Sequence, residues 1–273
     1  MTSGDTGPAS TEHTPIERQP GHWLLARLGK RVLRPGGIEL TRTLLDRIGV
    51  GAADGIVEFG PGVGRTAELL LARQPRCYTA VDPDDHARTA LEKLIGACER
   101  ARFVDAQAWA SGLPDRSATV VVGEAMATMH SADHKRAIFA EAFRLLAPGG
   151  RYGIHELALV PDDLSVEDQT RISHDLSFDI KVGARPLTIA AWTELLTDTG
   201  FDVLDVTRAP MRLLEPSRLL HDEGLAGSAR FACALLRDRA ARRRILAMRS
   251  SFRRHAAHLA AVAIVAQRPA APA

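Results

Sequence analysis

The stretch Ile56-Val57-Glu58-Phe59-Gly60-Pro61-Gly62-Val63-Gly64-Arg65 decides how this chain folds. Ile56 to Phe59 has the length and apolar character of a buried strand, the alternating glycines make a tight turn, and Arg65 to Arg73 continues at helical spacing. Glycine at 60, 62 and 64 lets a ligand approach backbone that any side chain would block. The next predicted strand, Cys77 to Val81, closes on Asp82-Pro83. Asp82 therefore lies about 20 residues beyond the loop, where a carboxylate can accept both hydroxyls of a ribose.

The same rhythm continues outward from that unit. His86 to Ala97 is predicted helical, Ala101 to Val104 is a strand ending at Asp105, and Thr119 to Val122 is a nearly pure valine strand. The helix Lys135 to Leu146 stops at Pro148-Gly149-Gly150, and Arg151 to His155 is another strand. Strands separated by helices need crossover connections, so the spacing predicts an α/β fold with a parallel sheet covered on both faces. Residues 55–157 form this core. Before it, residues 1–19 read as a disordered tail, and 20–54 as a cap or lid of two helices, His22 to Leu33 and Ile38 to Ile48. After it come a polar insertion at 158–187, taken as an acceptor-side lid, and a C-terminal part at 188–273. That part holds a helix at 188–199, strands at 201–207 and 260–266, and a helical insertion at 209–257 between them.

Composition narrows the classes. The chain has 273 residues, 45% hydrophobic and 25% charged, enough for one large domain with attached segments. Cys77, Cys98 and Cys233 have no paired or metal-ligand spacing, so neither a disulfide framework nor a metal is expected, and a reducing, cytoplasmic setting is. Met1 to Gln19 lacks the pattern of a signal peptide or anchor, and apolar runs fall short of the roughly 20 residues that cross a bilayer. The net charge of +2 does not call for nucleic acid.

A dinucleotide and S-adenosylmethionine both suit a glycine loop followed by a ribose-binding acid. The dinucleotide fingerprint needs a third glycine at position 65, which is Arg65, and Glu58 would set negative charge beside a pyrophosphate. Glu58 suits a ligand carrying an ammonium and a sulfonium, so the loop speaks for the methyl donor.

Further motifs agree. Glu58-Phe59-Gly60-Pro61-Gly62-Val63-Gly64, Asp82, Asp105-Ala106, Leu113-Pro114-Asp115 with Thr119-Val120-Val121-Val122, and Arg144-Leu145-Leu146-Ala147-Pro148-Gly149-Gly150-Arg151 occur in that order. In these the core resembles a class I S-adenosylmethionine-dependent methyltransferase of the ubiquinone/menaquinone-biosynthesis-like, small-molecule type. The resemblance implies a Rossmann-like, doubly wound, seven-stranded and mostly parallel sheet whose last strand is antiparallel. It also implies S-adenosylmethionine as cofactor and S-adenosylhomocysteine as product. The family joins its last two strands by a short hairpin, from which the long 209–257 segment departs.

The expected methyl-donor set is Glu58, Gly60, Pro61, Gly62, Gly64, Asp82, Pro83, Asp105, Ala106 and Glu124, with Asp105-Ala106 against the adenine. On the acceptor side the candidates are His155, as a base or orienting group, with Glu156 and His130 beside it, because ligands of open α/β sheets bind at the carboxyl ends of the strands. Glu156 also fits a local hydrogen-bonding role. Trp23 and the first helix fit a lid over the methyl-donor pocket or packing on the domain edge. The expected partner is a small-molecule methyl acceptor, with no membrane and no nucleic acid, and a homodimer is compatible with the sequence. The arginine-rich run from Arg237 to Arg254 reads as a solvated helix face. Two alternatives remain: an RNA or macromolecule methyltransferase using that basic helix, and a binding protein that keeps the cofactor fold without catalysis.

Overall fold

The computed structural model describes residues 15–96 and 98–270. The parallel strands β1 (Gly55–Phe59), β2 (Cys77–Val81), β3 (Ala101–Val104), β4 (Ala118–Glu124) and β5 (Leu146–Leu159) lie in the order β3-β2-β1-β4-β5. A two-residue β6 (Leu187–Thr188) pairs with the end of β5. Beyond β5 the sheet continues through β8 (Leu259–Gln267) to β7 (Asp202–Pro210), and β8 runs antiparallel to both neighbours. The sheet has eight strands rather than the expected seven, the addition being β6.

Helices cover both faces because the strands are apolar on both. In β4, Val120 and Val122 point to one side and Val121 to the other, as the period of 2 dictates. The first side packs against α2 (Gly37–Ile48), α3 (Arg65–Leu71) and α4 (Asp85–Ile95), through residues such as Leu44, Leu70 and Leu91. The second packs against α5 (Ala132–Leu145) and α7 (Ile189–Asp198), through Phe139, Leu145 and Trp192. At Gly153 a Cβ would come within 2.2 Å of Ile48 Cδ1, so the glycine lets α2 lie close on β5.

The departures from expectation gather on the carboxyl side of the sheet. The helix predicted from His22 to Leu33 is α1 (Gly21–Arg27), which stops before Gly29 at φ 94°. The following loop spends its amides elsewhere: the N–H groups of Arg31 and Val32 both donate to Glu223 at 2.8 Å. The strand predicted at 151–155 runs from Leu146 to Leu159, because β8 pairs with it from Arg151 to Leu159. Inside the polar insertion, α6 (Val166–Ile180) starts at the Ser165 cap and buries Ile172 and Leu176. The segment between the last two strands is α8 (Pro216–Arg237), broken at Gly224, and α9 (Arg239–Arg254), capped by Asp238.

This last pair completes a roof together with α1 and α6. Leu24, Leu25, Leu213, Phe231, Ile245 and Met248 make its core. Of the tail expected at 1–19, positions 1–14 lie outside the described residues. Pro15 to Gln19 form a turn in which Arg18 N–H donates to Pro15 O at 2.9 Å, and Arg244 donates to the Gln19 carbonyl at 2.8 Å. Among the described residues no helix is long and apolar enough to cross a membrane.

A buried charge pair ties the roof to the loop before α2. Lys30 Nζ sits 3.5 Å from Asp222 Oδ2 with both side chains fully buried, and Asp222 Oδ1 accepts from the Ile38 amide at 3.1 Å. Burial pulls the Lys30 ammonium below its ordinary range, and Asp222 and Glu223 oppose that pull. Removing one partner strands the other charge away from water. Asp222→Ala is therefore expected to lower the unfolding free energy by about 3 kcal/mol in urea titration, and an unchanged midpoint would contradict this role.

Candidate active site

Parallel register sets three acids side by side. Glu58 is in β1, Asp82 follows β2 and Glu124 ends β4, all at strand carboxyl ends, and the strand order reverses between β1 and β4. Ligands of open α/β sheets bind at such a reversal. A cleft of about 270 Å³ opens there, lined by all three acids, the glycine loop, Trp23, Arg34, Gln107 and His130.

The glycine loop is built as the sequence suggests. Gly60, Gly62 and Gly64 have φ of 62°, 53° and 78°, a region that L side chains rarely enter. A Cβ on Gly62 would project into open space, with no atom within 4 Å. The Gly62 N–H donates to Asp82 Oδ2 at 3.3 Å, and the Asp84 N–H to Asp82 Oδ1 at 3.0 Å. Asp82 is nevertheless pushed up to about 6, chiefly by burial.

Glu58 and Glu124 lie in opposite electrostatic states. Glu58 accepts a hydrogen bond from the Tyr78 hydroxyl at 2.6 Å, and burial pushes its carboxyl up to about 8, with Glu124 and Asp82 adding to the effect. Burial also acts to raise Glu124, but Arg34 and His155 outweigh it and hold the carboxyl at about 2. Glu124 is ion-paired with Arg34, and accepts from Thr41 Oγ1 at 2.8 Å and from the Thr66 hydroxyl. His155 Nδ1 lies 2.9 Å from the same carboxylate, and the Gly36 N–H donates to His155 Nε2 at 3.1 Å. A ring nitrogen that accepts an amide carries no proton, so the proton is on Nδ1 and goes to Glu124.

The acceptor-side candidates separate accordingly. His155 is fully buried with both nitrogens engaged, and it reaches the cleft only through Glu124, so no lone pair is left for an acceptor. Glu156 is also fully buried. It accepts from the amides of Met126 at 3.0 Å, Ala127 at 2.7 Å and Thr128 at 3.1 Å, and from Thr128 Oγ1 at 2.7 Å, fixing the turn after β4. His130 lines the cleft, its ring 5.2 Å from that of Trp109, and burial with the nearby His134, Lys135 and Arg185 charges lowers its pKa.

The rest of the expected methyl-donor set divides as well. Pro61 and Pro83 line the cleft. Asp105 is ion-paired with Arg88 with its side chain 57% exposed, and neither it nor Ala106 is in the cleft wall; Gln107 and Ala108 are. The chain bends inward only after Asp105, which a strand-end acid does not announce.

Several lining residues carried no sequence signal. Ala125 has φ 53°, unusual for a residue with a Cβ, and its N–H donates to His155 O at 2.7 Å. Trp23, by contrast, reads in the sequence as a lid or as edge packing; it donates from Nε1 to Asp84 Oδ2 at 3.1 Å and lines one side of the cleft. Arg34 and His22 come from a segment far from the glycine loop in sequence.

A second cavity, of about 110 Å³, adjoins the cleft beneath the roof. Its wall includes the apolar side chains of Leu25, Leu176, Ile180, Leu213, Met248 and Phe252. Among the described residues the cleft also has no arginine or lysine free for phosphate: Arg34 pairs with Glu124 and Arg31 with Glu68. Two acids, a glycine loop without side chains and no spare cation among the described residues fit a ligand with a ribose and positive charge.

A doubly wound sheet with this loop and acid arrangement is the architecture of nucleotide-type cofactor enzymes. A family model described as "Methyltransferase domain" matches residues 56–150. A protein of Haemophilus influenzae, itself uncharacterized, is 34% identical over 212 residues, which cover 76% of this chain and 82% of that one. An O-methyltransferase of Pyrenophora dematioidea is 28% identical over 172 residues, 61% of either chain. Phosphoethanolamine N-methyltransferase 2 of Haemonchus contortus, solved with S-adenosyl-L-methionine, superposes with a TM-score of 0.68 at 18% identity, covering 91% of this chain and 56% of that one. The 1,6-didemethyltoxoflavin-N1-methyltransferase of Burkholderia thailandensis gives 0.54 at 17% identity, covering 85% and 77%. Residues 56–150 are thus a methyltransferase domain, on a fold shared with a methyltransferase solved with S-adenosyl-L-methionine.

Because burial raises Glu58 above its unfolded value, its ionisation opposes folding as pH rises from about 4.5 toward 8. Glu58→Gln is expected to match the wild type near pH 4.5 and to exceed its unfolding free energy by on the order of 3 kcal/mol near pH 8. Urea unfolding at the two pH values checks this; equal stability at pH 8 would contradict it.

Proposed function

We propose that the chain transfers a methyl group from S-adenosylmethionine to an O, N or S atom of a small organic acceptor. The observation that carries the reading is the apolar cavity opening into the cleft, which offers a small molecule a dry seat beside the methyl donor. When bound, S-adenosylmethionine supplies an electrophilic methyl group on a sulfonium.

In this reading Asp82 accepts the ribose hydroxyls, and the loop at Gly60, Gly62 and Gly64, free of side chains, lets the ligand lie against the backbone. Glu58 receives the ammonium of the amino-acid end, which favours its ionised form. Pro83, Gln107 and Ala108 flank the base. Glu124, already fully paired, shapes the floor through Arg34, Thr41 and Thr66 rather than meeting the ligand's charge. Trp23 and the roof exclude water, which aids a displacement whose charge is dispersed.

The basic helix finds intramolecular work in this account. Arg244 holds the turn at Ile16 to Gln19, Arg249 is 3.3 Å from Glu215 and Arg254 is 3.7 Å from Asp175. That supports a small acceptor over nucleic acid. Three free cysteines support a cytoplasmic setting.

Calorimetry with S-adenosylhomocysteine tests the proposal. Micromolar binding is expected, with proton release near pH 7 because Glu58 starts above that pH and is driven to ionise. Asp82→Ala should weaken binding at least tenfold, and Glu58→Gln should abolish the proton release. A mass-spectrometric screen of small phenols, thiols and amines should then find a product heavier by one methyl group. Failure of the intact chain to bind S-adenosylhomocysteine would overturn the proposal.

A further inference from the structure

Methyl transfer requires the acceptor atom to meet the methyl group where the two cavities join. Four residues line both: His22, Leu33, Ala125 and Met129. Three are apolar. His22 alone brings a group that can hold or move a proton.

The surroundings leave that group free. His22 and Leu25 lie three residues apart on α1, so both reach the apolar cavity from one helix face. Among the described residues none hydrogen-bonds to the His22 ring, whereas Trp23 beside it is committed to Asp84. Burial lowers His22 to about 4, although the Asp84 charge pulls upward, so the imidazole is neutral at physiological pH with a lone pair to offer. The other polar side chains of the apolar cavity, Thr128 and Glu156, already bond to each other and to backbone.

Resting on the methyltransferase reading above, we infer that His22 is an acceptor-side catalytic residue and that the acceptor is an apolar molecule of about one ring bearing a hydroxyl. The size follows from the cavity: about 110 Å³, before the space at the junction is added, approaches the ~150 Å³ apolar cavity that holds benzene. The hydroxyl follows from the chemistry of the wall. Among the described residues of that wall an ammonium would find no free carboxylate, and a carboxylate or phosphate no lysine or arginine. In the transfer the acceptor's O–H bond breaks and its proton passes to the unprotonated His22 nitrogen, while the oxygen's electron pair forms the new O–CH₃ bond. The bonding pair of the broken S–CH₃ bond stays on sulfur, leaving a neutral thioether, and the imidazolium returns its proton to solvent.

The test uses full-length protein saturated with S-adenosylhomocysteine, which blocks turnover, and 4-methylphenol as the probe. Histidine-labelled ¹⁵N spectra should show one imidazole moving on addition of the probe, identified as His22 by its loss in His22→Ala. Calorimetry should show 4-methylphenol binding at least tenfold more tightly than benzylamine or benzoate. His22→Ala should weaken the phenol at least fivefold while S-adenosylhomocysteine binds within twofold of wild type. A second variant, Met248→Trp, should fill the cavity and abolish phenol binding with His22 intact. If 4-methylphenol binds His22→Ala as well as wild type, or leaves every imidazole unmoved, the role of His22 is overturned. A preference for benzylamine or benzoate, or no phenol binding at all, overturns the acceptor class. Loss of S-adenosylhomocysteine binding in the wild type would instead overturn the methyl-donor reading beneath both.

Discussion

The buried carboxylate of Glu124 is the joint on which the site depends. Arg34 reaches it from the loop before α2, Thr41 from α2, Thr66 from α3 and His155 from β5. A carboxylate largely withdrawn from water is costly unless charge and hydrogen bonds replace the lost solvent. Here they do, and in doing so they fix four separate pieces of chain around the point where the strand order reverses. The Gly36 amide extends the network by holding the far side of the His155 ring. The chain that follows the helix carrying His22 and Trp23 is thus held twice, at Lys30 by Asp222 and Glu223 and at Arg34 by Glu124.

The other two acids are left in need. Glu58 has one hydroxyl and Asp82 two amides, and among the described residues neither is ion-paired with a cation. Burial raises both carboxyls, which destabilises the empty protein at neutral pH and favours a partner that brings positive charge and hydroxyls. One class of residue, a strand-end acid, thereby serves opposite purposes according to whether a cation is paired with it.

Much of this was legible in the sequence, and the limits are physical. Strand, glycine turn and helix show as short-range periodicity, so β1 to β4 and the loop could be read closely. β5 could not be bounded, because its length comes from pairing with β8, more than a hundred residues away. The partners of His155 are equally remote: Gly36 lies on one side and Glu124 on the other. A histidine at a strand end looks the same whether its ring is free or fully bonded, and the base or orienting group expected at His155 has both ring nitrogens engaged within the protein. His22 drew no notice because an amphipathic helix explains its position equally well. The run of arginines in α9 read as a solvated face; Arg244, Arg249 and Arg254 have partners in the tertiary structure.

The most direct test of the account is a crystal structure of the protein with S-adenosylhomocysteine. The account predicts ribose hydroxyls on the Asp82 carboxylate, the amino-acid end at Glu58 and the sulfur facing the junction at His22 and Met129. A ligand with its ribose away from Asp82, or its sulfur turned from that junction, would contradict it.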